Sequence, residues 1–157
     1  MKLLKLEHKF YRENTHLKEA LDNHNGNWEK GKIRGYGIVI IDLNTLKFAI
    51  PLRSNINHDA CFIISKQKNQ NSTVITGLDF SKALLIKNPS YISKEIFRIP
   101  NEQHNRLKVK EHFIAQKFSK YVEKYTKAIL KTDKRILNLP EYRFSTLQNY
   151  HLELTKT

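Results

Sequence analysis

The sequence predicts an α+β fold in a single domain over residues 1–157, with an antiparallel sheet drawn from the first hundred residues and a long basic helix behind it. Three observations carry this expectation. Ile38-Val-Ile-Ile41 is an unbroken β-branched run, and Asp42-Leu43-Asn44-Thr45 turns it back into a second apolar run, Leu46 to Leu52. That is a hairpin buried on both faces. Further apolar runs, Cys61 to Ser65, Thr73 to Thr76 and Ala83 to Ile86, are each set off by polar or Gly-containing segments and read as strands. From Asn101 the apolar period becomes helical: Leu107, Ile114, Phe118, Tyr121, Val122, Tyr125 and Ile129 share one side, and Lys110, Lys117, Lys120, Lys124, Lys127 and Lys131 fill the rest.

In chain order, Leu3, Leu4 and Leu6 with Phe10 and Tyr11 predict a first strand and its exit. Asn14 or Thr15 then caps a short helix over Leu17, Ala20 and Leu21. Asn23 to Asn27 is a turn by composition, with His24 a loop residue. Trp28 to Arg34 leads into the hairpin and delivers Lys30, Lys32 and Arg34 ahead of it. Gly35 and Gly37 around Tyr36 suggest close backbone approach, but their spacing fits no phosphate loop. Pro51, which has no N–H to give a ladder, marks the end or an edge of the second strand. Lys66 to Ser72 is a polar loop, Asn88-Pro-Ser90 a turn, and Tyr91 to Phe97 an ambiguous run closed by Pro100. Leu137 to Pro140 breaks the long helix, and Glu141 to Leu154 reads as one last short helix.

Charge is the strongest compositional fact: 28 Lys and Arg against 15 Asp and Glu give a formal net charge of +13. Residues 101–135 alone hold 10 basic and 4 acidic residues, so the excess peaks on the predicted helix and is not a detachable tail. A folded surface that tracks a polyanion backbone follows. No apolar run approaches the roughly 20 residues that span a bilayer, and the charges among the first leucines do not suit a secretory leader. A cytoplasmic, membrane-free protein is expected, in keeping with one cysteine, Cys61, and no internal disulfide.

The greasy hairpin ends in a polar lip of Arg53, Ser54, Asn55, Asn57 and His58. A fixed cation, a hydroxyl, two amides and an imidazole within six residues can grip a phosphodiester and move a proton beside it. The same residues also make an ordinary loop with a solvated Arg53. No spaced His/Cys set supports a metal centre.

At Arg34-Gly-Tyr-Gly-Ile-Val39, Phe48 to Ile56 and Gly77 to Ile86, and again at Glu141 to Leu147, the chain resembles the toxins of type III toxin–antitoxin systems. It is most similar to the TenpIN branch, with CptN and ToxN/AbiQ more distant. The resemblance implies a compact, partly closed antiparallel sheet or barrel of MazF/Kid-like type with added helices. It also implies a metal-independent endoribonuclease without cofactor, acting on cellular or phage RNA in abortive infection and antiviral defence. Such a toxin is held inactive by a small, pseudoknotted, tandem-repeat antitoxin RNA in a closed protein–RNA hetero-oligomer. Ser54 matches the motif serine, and Arg53 stands where the ToxN branch has threonine. The lysine that branch carries two residues later is replaced here by Ile56.

The cation or proton carrier must then come from His58, Lys32, Arg34 or Lys82. RNA cut by its own 2′-hydroxyl leaves a 2′,3′-cyclic phosphate and needs a base, an acid and charge stabilisation. His58, which titrates nearest neutral pH as a residue type, is the expected proton carrier. Arg53 grips the phosphate, Ser54 donates to a non-bridging oxygen, and Lys32, Arg34 or Lys82 neutralises charge. Lys110, Lys117, Lys120 and Lys124 hold the strand, and Tyr11 or Tyr36 stacks a base. The alternative is a non-catalytic RNA- or DNA-binding protein of a phage or mobile element, which needs the charge but not the lip.

Overall fold

Seven strands of the computed structural model, which describes residues 1–24, 26–28 and 36–156, form one sheet in which every pairing is antiparallel. They are β1 (Leu4–Leu6), β4 (Ile38–Leu43), β5 (Leu46–Ser54), β6 (Cys61–Lys68), β7 (Thr73–Asp79), β8 (Leu84–Leu85) and β9 (Ile92–Ile96); β2 (Asn23–His24) and β3 (Asn27–Trp28) make a separate small ribbon. The order is β6-β7-β5-β4-β1-β9, with β8 also on β5. Strands β6 and β9 lie at opposite ends and do not pair, so the α+β, antiparallel expectation holds, while the sheet is open where a partly closed sheet or barrel was expected.

The central hairpin pairs Leu43 with Leu46 through Leu43-Asn44-Thr45-Leu46. Asn44 takes a φ of 56°, a left-handed conformation that Asn tolerates better than most residues. Pro51 neither ends β5 nor lies on a sheet edge, because its missing N–H falls in a gap. N–H groups alternate between the two edges of a strand, and Leu52 N donates to Gly37 O at 2.7 Å on the β4 side. Pro51 therefore faces the other edge, between Ala49, the last residue paired with β8, and Leu52, the first paired with β7.

Strand β6 runs on to Lys68 because Lys66, Gln67 and Lys68 pair with Ile75, Val74 and Thr73, which shrinks the predicted polar loop to 69–72. Gly77 lets β7 pass between β5 and β6. A Cβ there would lie 2.2 Å from the Phe62 carbonyl oxygen, beside an irregularity between Ile63 and Ser65.

Behind the sheet, the basic helix is two helices, α2 (Asn101–Val109) and α3 (Glu111–Lys131), broken at Lys110. Ile114, Phe118, Tyr121, Val122, Tyr125 and Ala128 bury one face of α3, and Phe118 packs its ring 5.3 Å from Phe48 and 5.5 Å from Phe80. Thr132, at φ 51°, terminates α3 in a left-handed cap. None of the described helices is long and apolar enough to cross a membrane.

The two ends of the chain differ from expectation for a common reason, the capture of backbone groups by polar side chains. The first helix, α1 (His8–Glu13), contains Phe10 and Tyr11, and Asn14 ends it by donating Nδ2 to Phe10 O at 2.8 Å. Residues 17–22 then form a loop with Glu19 and Asp22 at positive φ. After α4 (Lys134–Leu137), the predicted final helix is α5 (Pro140–Arg143), a 3-10 turn (Thr146–Asn149) and α6 (His151–Leu154). Ser145 Oγ accepts from Leu147 N, and Thr146 Oγ1 donates to Ser81 O and Ala83 O. The two ends also meet: Lys18 N donates to Asn149 Oδ1 at 2.9 Å, and Asn149 Nδ2 returns a bond to Lys18 O at 2.8 Å.

Candidate functional site

Asn55, with φ 60°, turns the chain out of β5. Buried Ile56 anchors the loop that follows, and Phe80 N donates to Ala60 O at 3.0 Å to close it. This brings His58 over the end of β7, where the fully buried Asp79 carboxylate is the hub. Arg53 Nη1 donates to Asp79 Oδ2 at 2.8 Å. Asp79 Oδ1 accepts from Ser81 Oγ at 2.6 Å and Ser81 N at 3.0 Å, and lies 3.2 Å from His58 Nε2. Burial pushes the Asp79 carboxyl up, but the hydrogen bonds from His58, Ser81 and Arg53 together with the electrostatic attraction of His58 outweigh it and hold the group below its ordinary value.

The orientation of His58 follows from its neighbours. Its Nδ1 accepts from Ala60 N at 3.2 Å, which places the proton on Nε2, facing Asp79. Ser81 Oγ lies 3.4 Å from Nε2 but spends its proton on Asp79, so these residues are not a nucleophilic Ser-His-Asp relay. The imidazole is 19% exposed and the Arg53 side chain 33%, so both reach the surface while Asp79 does not. Arg53 retains further N–H donors beyond the one on Asp79.

Next to this cluster lies a pocket of about 220 Å³ lined by Asp59, Ala60, Phe80, Lys117, Lys120, Tyr121, Lys124, Glu141 and Tyr142. Asp59 and Ala60 directly follow His58, and Phe80 sits between Asp79 and Ser81 in the chain. Arg53 and His58 do not line the pocket themselves; the residues that follow His58 in the chain share it with Lys117, Lys120 and Lys124 of the basic helix. At about 100° per residue, Lys117, Lys120, Lys124, Lys127 and Lys131 fall in a stripe about 80° wide beside the buried face of α3. Lys117 Nζ donates to Cys61 O at 2.7 Å, which ties the helix to the start of β6, and Lys127 pairs with Glu123 at 2.9 Å.

The remaining predicted residues are placed differently. Ser54 is exposed at the end of β5 and, one residue from Arg53, projects from the opposite face of the strand. Lys82 Nζ is a clamp, donating to Glu19 O at 2.8 Å and Phe144 O at 2.9 Å, with its side chain 14% exposed; burial lowers its pKa despite the nearby Glu19 and Asp79 carboxylates. Tyr11 is buried edge-to-face against Phe10 and Trp28, its hydroxyl pushed up to about 12 by burial, and it presents no ring face to a base. Tyr36 packs against the same core with a buried hydroxyl. Lys110 sits at the α2–α3 break, about 10 Å along the axis from Lys117. Lys30, Lys32, Arg34 and Gly35 lie outside the described residues.

Asp79 and Ser81 are the residues that sequence reasoning missed. Their signal was an acid ending a strand and followed two residues later by a hydroxyl, the pattern in which Asp79 caps the 3-10 turn at Phe80–Lys82. Among the described residues, no group of three or more His, Cys, Asp and Glu side chains is arranged to hold a metal ion. No protein-family model, curated protein or solved structure matches this chain.

Proposed function

We propose that the chain is a metal-independent endoribonuclease toxin of type III toxin–antitoxin kind that cleaves cellular or phage RNA through the RNA's own 2′-hydroxyl. The observation that supports this most is that His58 and Arg53 are both partly exposed, and that Asp59 and Ala60, next after His58 in the chain, line the pocket carrying Lys117, Lys120 and Lys124. In this reading the lysines hold the strand, and the free donors of Arg53 take the scissile phosphate. The lone pair of His58 Nδ1 takes the 2′-hydroxyl proton, exchanging its contact with Ala60 N for the substrate; the O2′–P bond forms as the P–O5′ bond breaks, and the departing 5′-oxygen takes a proton from water. Asp79 beneath Nε2 then stabilises the imidazolium that forms. Ser54, exposed on the other strand face, does not contact the phosphate in this reading. A small repeat-derived RNA occupies the same opening as inhibitor, in a protein–RNA hetero-oligomer within the cytoplasm.

The test is cleavage of single-stranded RNA in EDTA, read as a 2′,3′-cyclic phosphate end. Arg53→Ala and His58→Ala are each expected to slow it by about 10²–10³-fold. Cleavage by both variants at the unmodified rate refutes the assignment. One observation favours the second reading, a non-catalytic RNA- or DNA-binding protein of a phage or mobile element: both His58 ring nitrogens and the Ser81 hydroxyl already have partners, and Arg53 spends one donor on Asp79. Tight RNA binding with no cyclic-phosphate product would establish it.

A further inference from the structure

We propose that the pocket beside His58 is a subsite for one guanine base of the bound RNA, a specificity that rests on the RNA-cleaving reading above. Its floor is carbon. Phe80, Tyr121 and Tyr142 close it, and the two tyrosine hydroxyls are already engaged, Tyr121 with Glu141 O at 2.7 Å and Ser145 Oγ at 2.9 Å, Tyr142 with Tyr121 O at 2.8 Å. At about 220 Å³ the space falls below the roughly 300–1,000 Å³ of sites for drug-sized ligands, so it suits one flat ring system.

The rim carries two kinds of group and no side-chain amide: the lysines donate, and Asp59 and Glu141 accept. Among the described residues the side chains of Lys120, Lys124, Asp59 and Glu141 make no hydrogen bond or ion pair with one another or with anything else. Two carboxylate residues lining an opening that recruits phosphate repel it, unless they meet donors on the ligand. Guanine supplies them. Its N1–H and N2–H2 form adjacent donors for a carboxylate, while O6 and N7 accept from a lysine. Adenine and cytosine place an acceptor beside their amino donor, and uracil flanks its single N–H with two acceptors, so each sets a lone pair against a carboxylate oxygen.

The experiment is calorimetric titration of the full chain with GMP, AMP, CMP and UMP. GMP is expected to bind at least about 10-fold more tightly than the other three. Glu141→Gln and Asp59→Asn, checked for an unchanged melting temperature, should each reduce that preference to about 3-fold or less; if Glu141→Gln fails to fold, the exposed Asp59 carries the test. Equal binding of the four nucleotides, binding of none, or a preference intact in both variants overturns the proposal. RNA cleavage indifferent to guanine at the cut overturns the guanine subsite and leaves the nuclease reading standing. Guanine-selective binding with no cleavage does the reverse.

Discussion

Replacing Asp79 by Asn keeps the shape of the hub and removes its charge. The amide oxygen can still accept from Ser81 and His58, but the other end of the group becomes an NH2 facing the Arg53 guanidinium now 2.8 Å from Oδ2. Breaking a buried pair by altering one partner costs about 3–5 kcal/mol. Arg53 is one third exposed and can turn to water, which lowers the expectation to about 2–3 kcal/mol. Urea unfolding followed by circular dichroism measures this as a fall in midpoint at constant slope. Asp79→Ala, which also strands the buried Ser81 N–H and hydroxyl, should cost about 1–3 kcal/mol more. A loss under about 1 kcal/mol for Asp79→Asn would show that the four donors around this carboxylate do not depend on its charge.

Other outcomes follow from the same contacts. Asp79, held below its ordinary pKa, contributes stability above the unfolded carboxylate range; that contribution should fade as pH falls below about 4, and Asp79→Asn should flatten the acid limb of a melting profile. Tyr11 and Tyr125, both raised to about 12, work oppositely, so stability present below about pH 10 should decline from pH 10 towards 12. RNA affinity held by Lys117, Lys120 and Lys124 should fall with salt at a log–log slope of about −2, and Lys124→Ala should reduce the slope by about 0.7 for any sequence bound. Gly77→Ala places a methyl against the Phe62 carbonyl at 2.2 Å and should cost at least about 3 kcal/mol, read as loss of the folded fraction at 37 °C.

The sheet's central strands and the basic helix were legible because Ile38–Ile41, Leu46–Leu52 and the Leu107–Ile129 stripe carry strong periods. The barrel was not, since closure depends on whether β6 reaches β9, which no local pattern encodes. The ends were misread for a different reason. Asn14, Ser145 and Thr146 look alike whether they begin a helix or replace its ladder with bonds to distant carbonyls, and the choice is made by Phe10, Ser81 and Ala83. At the site, the polar lip was visible as composition, but its organising acid lies 21 residues beyond His58. Lys82, picked for its charge, is spent on two backbone oxygens.

The bonds between Lys18 and Asn149, and from Lys82 to Glu19 and Phe144, set an order of events during synthesis. The amino-terminal corner cannot lock until residue 149 has left the ribosome. Non-local closure of this kind slows folding. Before then the loop around Lys18 lacks its bonds to Asn149, so ribosome-bound intermediates should remain open to protease at residues 14–22 until residue 149 has emerged.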